Sequence, residues 1–578
     1  MRHAACPRCR KSYCIAVGAN AMVPKLNFLK SSAFDTGVRV TVATALVDLL
    51  AEAGVRHVFG VPSGPWVPYM EAMRMGPVEF VLVSNEAAAG FMADVCGRLT
   101  GRPGACYGTF GPGATNLTTG VGSALLDRSP LLAFTTEAPE SMRHRTLQMA
   151  IDHQALFRPL TKWTTQVSPA HLRQTMRRAV RTATAEVPGP VHLGLPADIG
   201  GRAVAAESGT APMDTGPGMP PPLVERLREV EPLLRRAKRP LLVAGLSCLR
   251  LADWRAWRQM MQRHQLPVVV SPMVKGLLRE DDPAYVGVLF HALSDVVAET
   301  IQEADLVLAI GYDPVEFNYE GWMPDVPLVH VDTVSADIDR EAVNLAADVV
   351  GDIRAAVEFF LKVSAPEFDW DLAALKEHRE RLFARLAANE NEYGPRAVLD
   401  VLRDVLPEDG IMTCDVGAHT HLIGQKWPTP APGRQIMTNG WSAMGFGIPS
   451  AIAAKLCRPD TPVCTVVGDG GFLMTCGEIA TAVRERLNIV IVLLTDNDLA
   501  LIRIKQQKKD NPIYGTPIRS EGAIGGDNIF GAPVIQTHDA DELRNALAEA
   551  FATEGPVIVE ALTSSAEYDE LVLKKDRP

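Results

Sequence analysis

A glycine–aspartate–glycine turn, Gly468-Asp469-Gly470, directly follows Val463–Val467, an apolar run that reads as a buried strand. Glycine lets a backbone turn tightly and come close to a phosphate. The aspartate between the glycines can hold a divalent ion that bridges to a diphosphate. A helix (Glu478–Arg486) and a second apolar strand (Ile489–Leu494) follow, and that strand ends at Thr495-Asp496-Asn497-Asp498. A parallel crossover sets this cluster beside Asp469, so both strand ends can share one metal at the sheet edge where ligands of open α/β sheets bind. Alone, G-D-G is a weak signal, because Gly-Asp turns are frequent in plain loops. The second polar cluster, one strand–helix–strand unit later, makes it far stronger.

Three further segments pair turn residues with side chains that can do chemistry. Ser84-Asn85-Glu86-Ala87-Ala88-Ala89-Gly90 puts a glutamate at a strand-to-helix turn, where its ordinary use is to complement the helix dipole. Thr109-Phe110-Gly111-Pro112-Gly113-Ala114-Thr115-Asn116 is a glycine-rich helix entry. Asn439-Gly440-Trp441-Ser442-Ala443-Met444-Gly445 sets a methionine, elsewhere a core filler, in a loop. Asp415-Val416-Gly417-Ala418-His419 lies just after the strand Gly410–Thr413, and His419 reads equally as a partly buried histidine.

The elements that position these residues alternate short apolar runs with amphipathic stretches, the pattern of parallel α/β domains. The expected fold class is α/β with three doubly wound parallel-sheet domains. A first block, residues 39–200, holds strands at His57–Val61, Glu79–Val83, Leu131–Thr135 and Val191–Leu195, with helices at Thr41–Gly54 and Glu86–Leu99. Ser208–Pro222, rich in glycine and proline, reads as a linker. A second block, residues 221–363, holds strands at Pro240–Ala244, Pro267–Val270, Leu306–Ile310 and Leu328–Val331. Lys376–Arg385 reads as a solvated linking helix. A third block, residues 395–565, adds Pro556–Val559 to the strands already named.

The 578 residues suffice for three or four domains, and 47% hydrophobic with 22% charged residues is ordinary for a soluble protein with large cores. A net charge of −11 argues against a nucleic-acid partner. No apolar run is long enough to span a bilayer, and no secretory signal follows the charged first residues, so a cytoplasmic enzyme is expected. The ten cysteines are scattered, as reduced core thiols are. Cys6, Cys9, Cys14 and His3 form the one cluster with zinc-like spacing, but residues 1–38 read better as a disordered leader, with Met22 an alternative start.

On the segments quoted, and on Phe91-Met92-Ala93-Asp94 and Gly97-Arg98-Leu99-Thr100-Gly101, the chain resembles the thiamine-diphosphate (ThDP)-dependent enzymes, in the right order from Arg39 to Leu562. The resemblance implies a pyrimidine-binding first block and a diphosphate-binding third block, with the cofactor between blocks of different subunits of a homodimer or homotetramer. It implies that Glu86, partly buried and protonated, donates to the aminopyrimidine ring and so activates the cofactor. Phe110, the Gly111-Pro112-Gly113 loop and Asn116 would close over the partner subunit's cofactor. Met444 would prop the cofactor into the bent shape that brings its reacting atoms together. Val416, Gly417, Ala418, His419, Ser442, Gly468, Asp469, Gly470 and Gly471 would contact it. Mg²⁺ would sit on Asp469, Asp496 and a carbonyl near Asp498, with Asn497 as a one-residue alternative to Asp496.

Within that family, Ile310-Gly311-Tyr312-Asp313-Pro314-Val315-Glu316, Gly351-Asp352-Ile353 and Ala155-Leu156-Phe157-Arg158-Pro159-Leu160-Thr161-Lys162 resemble catabolic acetolactate synthase. That group implies decarboxylation of a pyruvate-like 2-oxo acid, carboligation to a carbonyl acceptor, a glutamine near the active site (here Gln148) and no FAD. Gly245-Leu246-Ser247 also lacks a fuller glycine cluster for a flavin phosphate. The substrate pocket departs from the group: Pro65 stands where a lysine is usual, and Lys505 is the candidate for a displaced carboxylate-binding charge. Glu521–Gly531 departs from the family's helix as well. A plain 2-oxo acid decarboxylase, an acyl transferase and a flavin-linked 2-oxo acid oxidase are the alternatives on this scaffold. A non-catalytic homologue is disfavoured, because Glu86, Asp469 and Asp496 are all present.

Overall fold

Runs of β-branched and aliphatic residues set the strands. Val268–Val270, Leu306–Ile310 and Ile489–Thr495 are buried along their whole lengths, as parallel strands covered by helices on both faces must be. In the computed structural model, which describes residues 40–571 apart from 143–144, 205–212, 214–217, 252–253, 364–367, 390–391 and 520–525, these strands form three sheets. The first runs in the order Glu79–Leu82, His57–Gly60, Gly104–Gly108, Leu131–Glu137, Pro190–Pro196, Trp163–Gln166. The second runs Leu345–Val350, Leu328–Asp332, Leu306–Ile310, Pro240–Ala244, Val268–Val270, Tyr285–Val288. The third runs Gln435–Ile436, Ile411–Cys414, Val463–Gly468, Ile489–Thr495, Val557–Leu562, Ala532–Thr537, Asn528–Ile529. Every pairing is parallel except the last, between Asn528–Ile529 and Ala532–Thr537. The α/β class with three parallel-sheet units is therefore observed.

In each sheet the strand order reverses beside the strand that comes first in the chain, and this reversal opens a crevice at the C-terminal strand ends. In the first sheet it lies between His57–Gly60 and Gly104–Gly108, so the loops carrying Pro65 and Gly111 meet there. In the third it lies between Ile411–Cys414 and Val463–Gly468, so Val416–His419 faces Gly468–Gly471. In the second it lies between Pro240–Ala244 and Leu306–Ile310. A Cβ on Gly245 would stand 2.4 Å from Tyr312 Cα, Ser247 Oγ donates to Asp332 at 3.1 Å, and Arg250 pairs with Glu186 at 2.8 Å.

Helix ends are set locally. Asn85 caps the helix Glu86–Thr100 by accepting from Ala87 N at 2.8 Å, and Gly101 ends it with φ +65°. This helix and Pro112–Leu126 cross at two glycines: a Cβ on Gly90 would lie 2.6 Å from Gly120 Cα. The near-contact of backbones fixes Glu86 and Asn116 relative to one another.

Several elements differ from the sequence expectation. Gly104–Gly108, Trp163–Gln166, Tyr285–Val288, Leu345–Val350 and Ala532–Thr537 are additional strands. The charged stretch Lys376–Arg385 belongs to the helix Leu372–Leu386, which is not simply solvated: Leu375, His378, Leu382 and Leu386 bury one face. The cysteine-bearing leader, most of the linker and residues 520–525 lie outside the described residues. No described helix is long and apolar enough to cross a membrane.

Glu316 gives a test of the central core. It is buried, it accepts from Met273 N at 3.2 Å, and burial pushes its carboxyl up to about 8. The folded pKa lies above the unfolded value, so the folded state holds the extra proton and stability falls as pH rises towards 8. A Glu316→Gln variant lacks this slope. Its Tm should exceed that of the parent by roughly 5 °C at pH 8 and by little at pH 5. Thermal unfolding at both pH values checks this, and a pH-independent gap would refute it.

Candidate active site

Three carboxylates converge at the ends of neighbouring strands. Val463–Gly468 pairs in register with Ile489–Thr495, Gly468 opposite Leu494, so Asp469 and Asp496 emerge side by side. Asp469 Oδ2 accepts from Asn497 N at 2.6 Å and Oδ1 accepts from Gly470 N at 2.8 Å. Asp496 Oδ1 accepts from Asp498 N at 3.1 Å, and Asp498 Oδ2 pairs with Arg503 at 3.0 Å. Burial raises Asp469 to about 6; burial and then the Asp469 charge raise Asp496 to about 7. Asp498 Oδ1 is buried without a hydrogen-bond partner. Crowded carboxylates with an unsatisfied oxygen are what a hard divalent cation relieves.

These groups line a cleft whose other walls are Val416, Gly417, Ala418, His419, Met444, Gly470 and Gly471, with an apolar side of Leu499, Ala500, Leu501 and Ile502 and with Tyr568. Side chains at its glycines would collide with neighbours. A Cβ on Gly470 would stand 2.7 Å from Leu499 Cδ2 and 3.1 Å from Met444 Cε, and one on Gly471 would stand 2.7 Å from Asp415. The donor set and glycine floor fit a metal-bound diphosphate beside an apolar ring. Asn497, with φ +59°, offers its backbone N–H to Asp469, whereas the flanking Asp496 and Asp498 line the cleft. Ser442 is exposed, donates to Asn439 O at 2.8 Å and stands outside the cleft lining. Lys505 is exposed on the helix Ala500–Gln507, and its charge helps hold His421 down near 4, after the larger effect of burial.

The remaining sequence candidates gather at the first sheet's crevice. Glu86 is 7% exposed, and its Oε2 accepts from Asn116 Nδ2 at 3.2 Å. Its Oε1 lies 3.0 Å from where a Cβ on Gly113 would stand, so only glycine leaves that oxygen free. Gly111 has φ +45°, and a Cβ there would meet Met149 O at 2.5 Å, which brings the Gly111–Gly113 loop against the turn carrying exposed Gln148. Phe110 is half-buried in the same loop. Pro65 lies in the short helical turn Gly64–Trp66, whose Trp66 stacks on Tyr107 at 3.9 Å, while Ser63 Oγ and Tyr107 OH are 2.6 Å apart. Among the described residues, none of Glu86, Asn116, Phe110, Gln148 or Pro65 lines the three-carboxylate cleft of its own chain.

Three supporting residues were given no role by the sequence reading. Asp415, raised to about 6 by burial, accepts from Val416 N (2.6 Å) and Gly445 N (2.8 Å), tying the Val416–His419 loop to the Met444 loop. Asp127 Oδ1 accepts from Gly440 N at 2.8 Å, fixing the start of the same segment. Glu478 Oε1 accepts from Ser84 N (2.9 Å) and Asn85 N (3.0 Å), so the turn before Glu86 is pinned from the third sheet's unit. A carboxylate that serves backbone amides has no spacing signature; only its place at the head of the quoted segment Asp415–His419 could have flagged Asp415.

Comparison with known proteins agrees with this layout. Residues 40–156 match the thiamine pyrophosphate enzyme N-terminal TPP binding domain, 227–360 the central domain and 415–561 the C-terminal TPP binding domain. A probable 2-ketoarginine decarboxylase of Pseudomonas aeruginosa is 33% identical over 533 residues, covering 90% of this chain and 94% of the relative. An acetolactate synthase of Bacillus subtilis is 29% identical, covering 90% and 92%. A catabolic acetolactate synthase of Raoultella terrigena is 29% identical, covering 89% and 94%. With both thiamine-binding units matched and such relatives along nearly its whole length, the chain belongs to the thiamine pyrophosphate enzymes and is a ThDP-dependent, acetolactate synthase-like carboligase or decarboxylase.

Proposed function

We propose that the protein decarboxylates a pyruvate-like 2-oxo acid and joins the remaining fragment to a carbonyl acceptor. The observation that carries this reading is the pair of crevices: a buried acid, Glu86, oriented by Asn116 in one, and a glycine-floored carboxylate cluster in the other. Bound ThDP supplies the electron sink that lets a 2-oxo acid lose CO2. Asp469, Asp496 and Asp498 would hold Mg²⁺, the loops Val416–His419 and Gly468–Gly471 would receive the diphosphate, and Met444 would support the cofactor from below. Glu86 Oε2 is engaged by Asn116, which leaves Oε1 to meet the aminopyrimidine ring. Phe110 and Gln148 face the reacting carbon. Since the two crevices of one chain do not share a lining, a second copy completes each site, and the protein works as a homodimer or homotetramer. Residues 39–200, 221–363 and 395–565 act as the pyrimidine, central and diphosphate domains. In the central unit Gly245 packs against Tyr312, and Ser247 and Arg250 are engaged by Asp332 and Glu186, so these loops offer no glycine-rich cradle for a flavin phosphate, which favours a flavin-free enzyme. Seven described free cysteines suit a cytoplasmic protein.

The substrate side supports a second reading. Pro65 brings no cation to the pocket, and the relative at 33% identity is named for 2-ketoarginine, a longer and cationic 2-oxo acid. In that case release of CO2 ends in protonation rather than carboligation. The deciding experiment supplies ThDP and Mg²⁺ with a panel of 2-oxo acids and follows CO2 and product masses. Acetolactate from pyruvate alone supports the synthase; inert pyruvate beside a reactive long-chain acid supports the decarboxylase; no CO2 from any member refutes both. Lys505→Gln should raise KM for the active 2-oxo acid about tenfold with kcat within about twofold, the mark of lost carboxylate binding. An unchanged KM would return Lys505 to the solvent-facing helix.

A further inference from the structure

Behind the Gly111 loop lies a string of polar side chains, buried at Thr135, His153 and His192 and half-buried beyond them, that the proposed reaction does not use. Gly111 N donates to His153 Nε2 at 3.2 Å. His153 Nδ1 is 2.9 Å from Thr135 Oγ1, which is 2.7 Å from His192 Nε2. His192 Nδ1 is 2.7 Å from Thr164 Oγ1, and Thr164 donates to Gln154 Oε1 at 2.8 Å. Gln154 Nε2 donates to Glu137 Oε1 at 2.5 Å, and Gln166 Nε2 donates to Glu137 Oε2 at 2.8 Å. His153 and His192 are 2% and 0% exposed, and Phe157 stacks on His192 at 4.2 Å.

The two ends of this string admit one arrangement of protons. A peptide N–H only donates and a carboxylate only accepts. Gly111 therefore requires a lone pair on His153 Nε2, which puts that ring's proton on Nδ1, aimed at Thr135. Thr135 passes its own hydrogen to His192 Nε2, so His192 carries its proton on Nδ1, aimed at Thr164. Thr164 then donates to the Gln154 oxygen, leaving the Gln154 amide nitrogen for Glu137. Every donor and acceptor is matched with both rings neutral, the state burial enforces by holding His153 near 4 and His192 well below its usual value.

Two other uses of the cluster fail on the same geometry. Glu137, His153 and His192 bring ligand atoms within 4.8 Å of one another, as a metal site would. The Thr135 hydroxyl stands between the rings, though, and all four ring nitrogens are already hydrogen-bonded. Proton conduction fails because the string ends on a backbone amide, which does not release its proton.

We propose that His153 is a positioning residue for the Gly111-Pro112-Gly113 loop, held in its acceptor tautomer by the Thr135–His192–Thr164–Gln154 string that Glu137 terminates. The loop leads into the helix whose Asn116 orients Glu86, so its position sets the geometry of the acid. The functional half of this inference rests on the proposed place of the loop beside the reacting carbon.

The experiment uses the full chain with ThDP and Mg²⁺ and two variants. His153→Phe keeps a planar ring at the site but leaves Gly111 N without an acceptor. His153→Gln offers an oxygen to Gly111 and an amide to Thr135. Hydrogen exchange read by mass spectrometry at the Gly111 amide should quicken about tenfold in the Phe variant and return to within about threefold of the parent in the Gln variant. Turnover should follow: kcat down about tenfold in the Phe variant with both KM values within about twofold, and rescued by Gln. Unchanged exchange in the Phe variant, or equal damage in both variants, overturns the positioning role. Faster exchange with an unchanged kcat upholds the string but overturns the placement of the loop beside the reacting carbon.

Discussion

Replacing Glu86 by glutamine should lower turnover by roughly 10²–10⁴-fold, the range expected when a positioned acid or base is lost, while ThDP affinity changes by no more than about threefold. The large effect follows from how little else the substitution touches. The turn before Glu86 is held by Asn85 capping Ala87 and by Glu478 accepting from Ser84 N and Asn85 N, so the backbone keeps its place. Glutamine has the same length and still offers an oxygen to Asn116 Nδ2. What it loses is the proton that a carboxyl can share at Oε1, the oxygen facing Gly113. Binding survives because the groups proposed to hold the diphosphate and metal lie in the other crevice. The measurements are kcat with the active 2-oxo acid, ThDP affinity by titration, and the rate at which the bound cofactor exchanges the hydrogen on its reactive carbon. Turnover within a factor of two of the parent would remove Glu86 from the mechanism.

The strand-end motifs were legible in the sequence because their chemistry is local. Gly468-Asp469-Gly470 and Thr495–Asp498 each combine a strand, a turn and an acid within a few residues, and one parallel crossover converts that spacing into proximity. The Glu86 turn was legible for the same reason. Gly104–Gly108 was not, because Gly-Ala-Cys-Tyr-Gly has little β-branched character and is a strand only through its neighbours His57–Gly60 and Leu131–Glu137. The helix Leu372–Leu386 hid its buried face under charge: Leu375, His378, Leu382 and Leu386 recur at helical spacing between lysines, arginines and glutamates. The supports of the site were the least legible part. Asp415, Asp127 and Glu478 act on backbone amides up to 394 residues away, and the His153 string joins residues of three neighbouring strands and a short helix. Nothing in local pattern marks a carboxylate or an imidazole as the partner of a distant peptide group.

Replacing Asp469 by alanine should weaken Mg²⁺-dependent ThDP binding by about 100-fold, the scale on which metal sites respond to loss of an orienting or ligating group. Asp469 does two jobs at one place. Its Oδ1 and Oδ2 receive Gly470 N and Asn497 N, which joins the ends of the two central strands. Its remaining lone pairs face the cleft beside Asp496 and Asp498. Alanine would remove a proposed ligand and free the Asn497 turn, so the proposed metal site would lose a charge and a fixed geometry together. Asp469→Asn separates the two effects. The asparagine keeps an oxygen for Asn497 N but carries no charge, and its loss of metal affinity should fall between those of the parent and the alanine variant. Titration of apo-protein with ThDP at several Mg²⁺ concentrations, with a chelator control, reads both. If the alanine variant binds ThDP with the parent's affinity and metal dependence, the three-carboxylate cleft is not the metal site. If the asparagine and alanine variants are equally impaired, the charge of Asp469 rather than its grip on the Asn497 turn holds the ion.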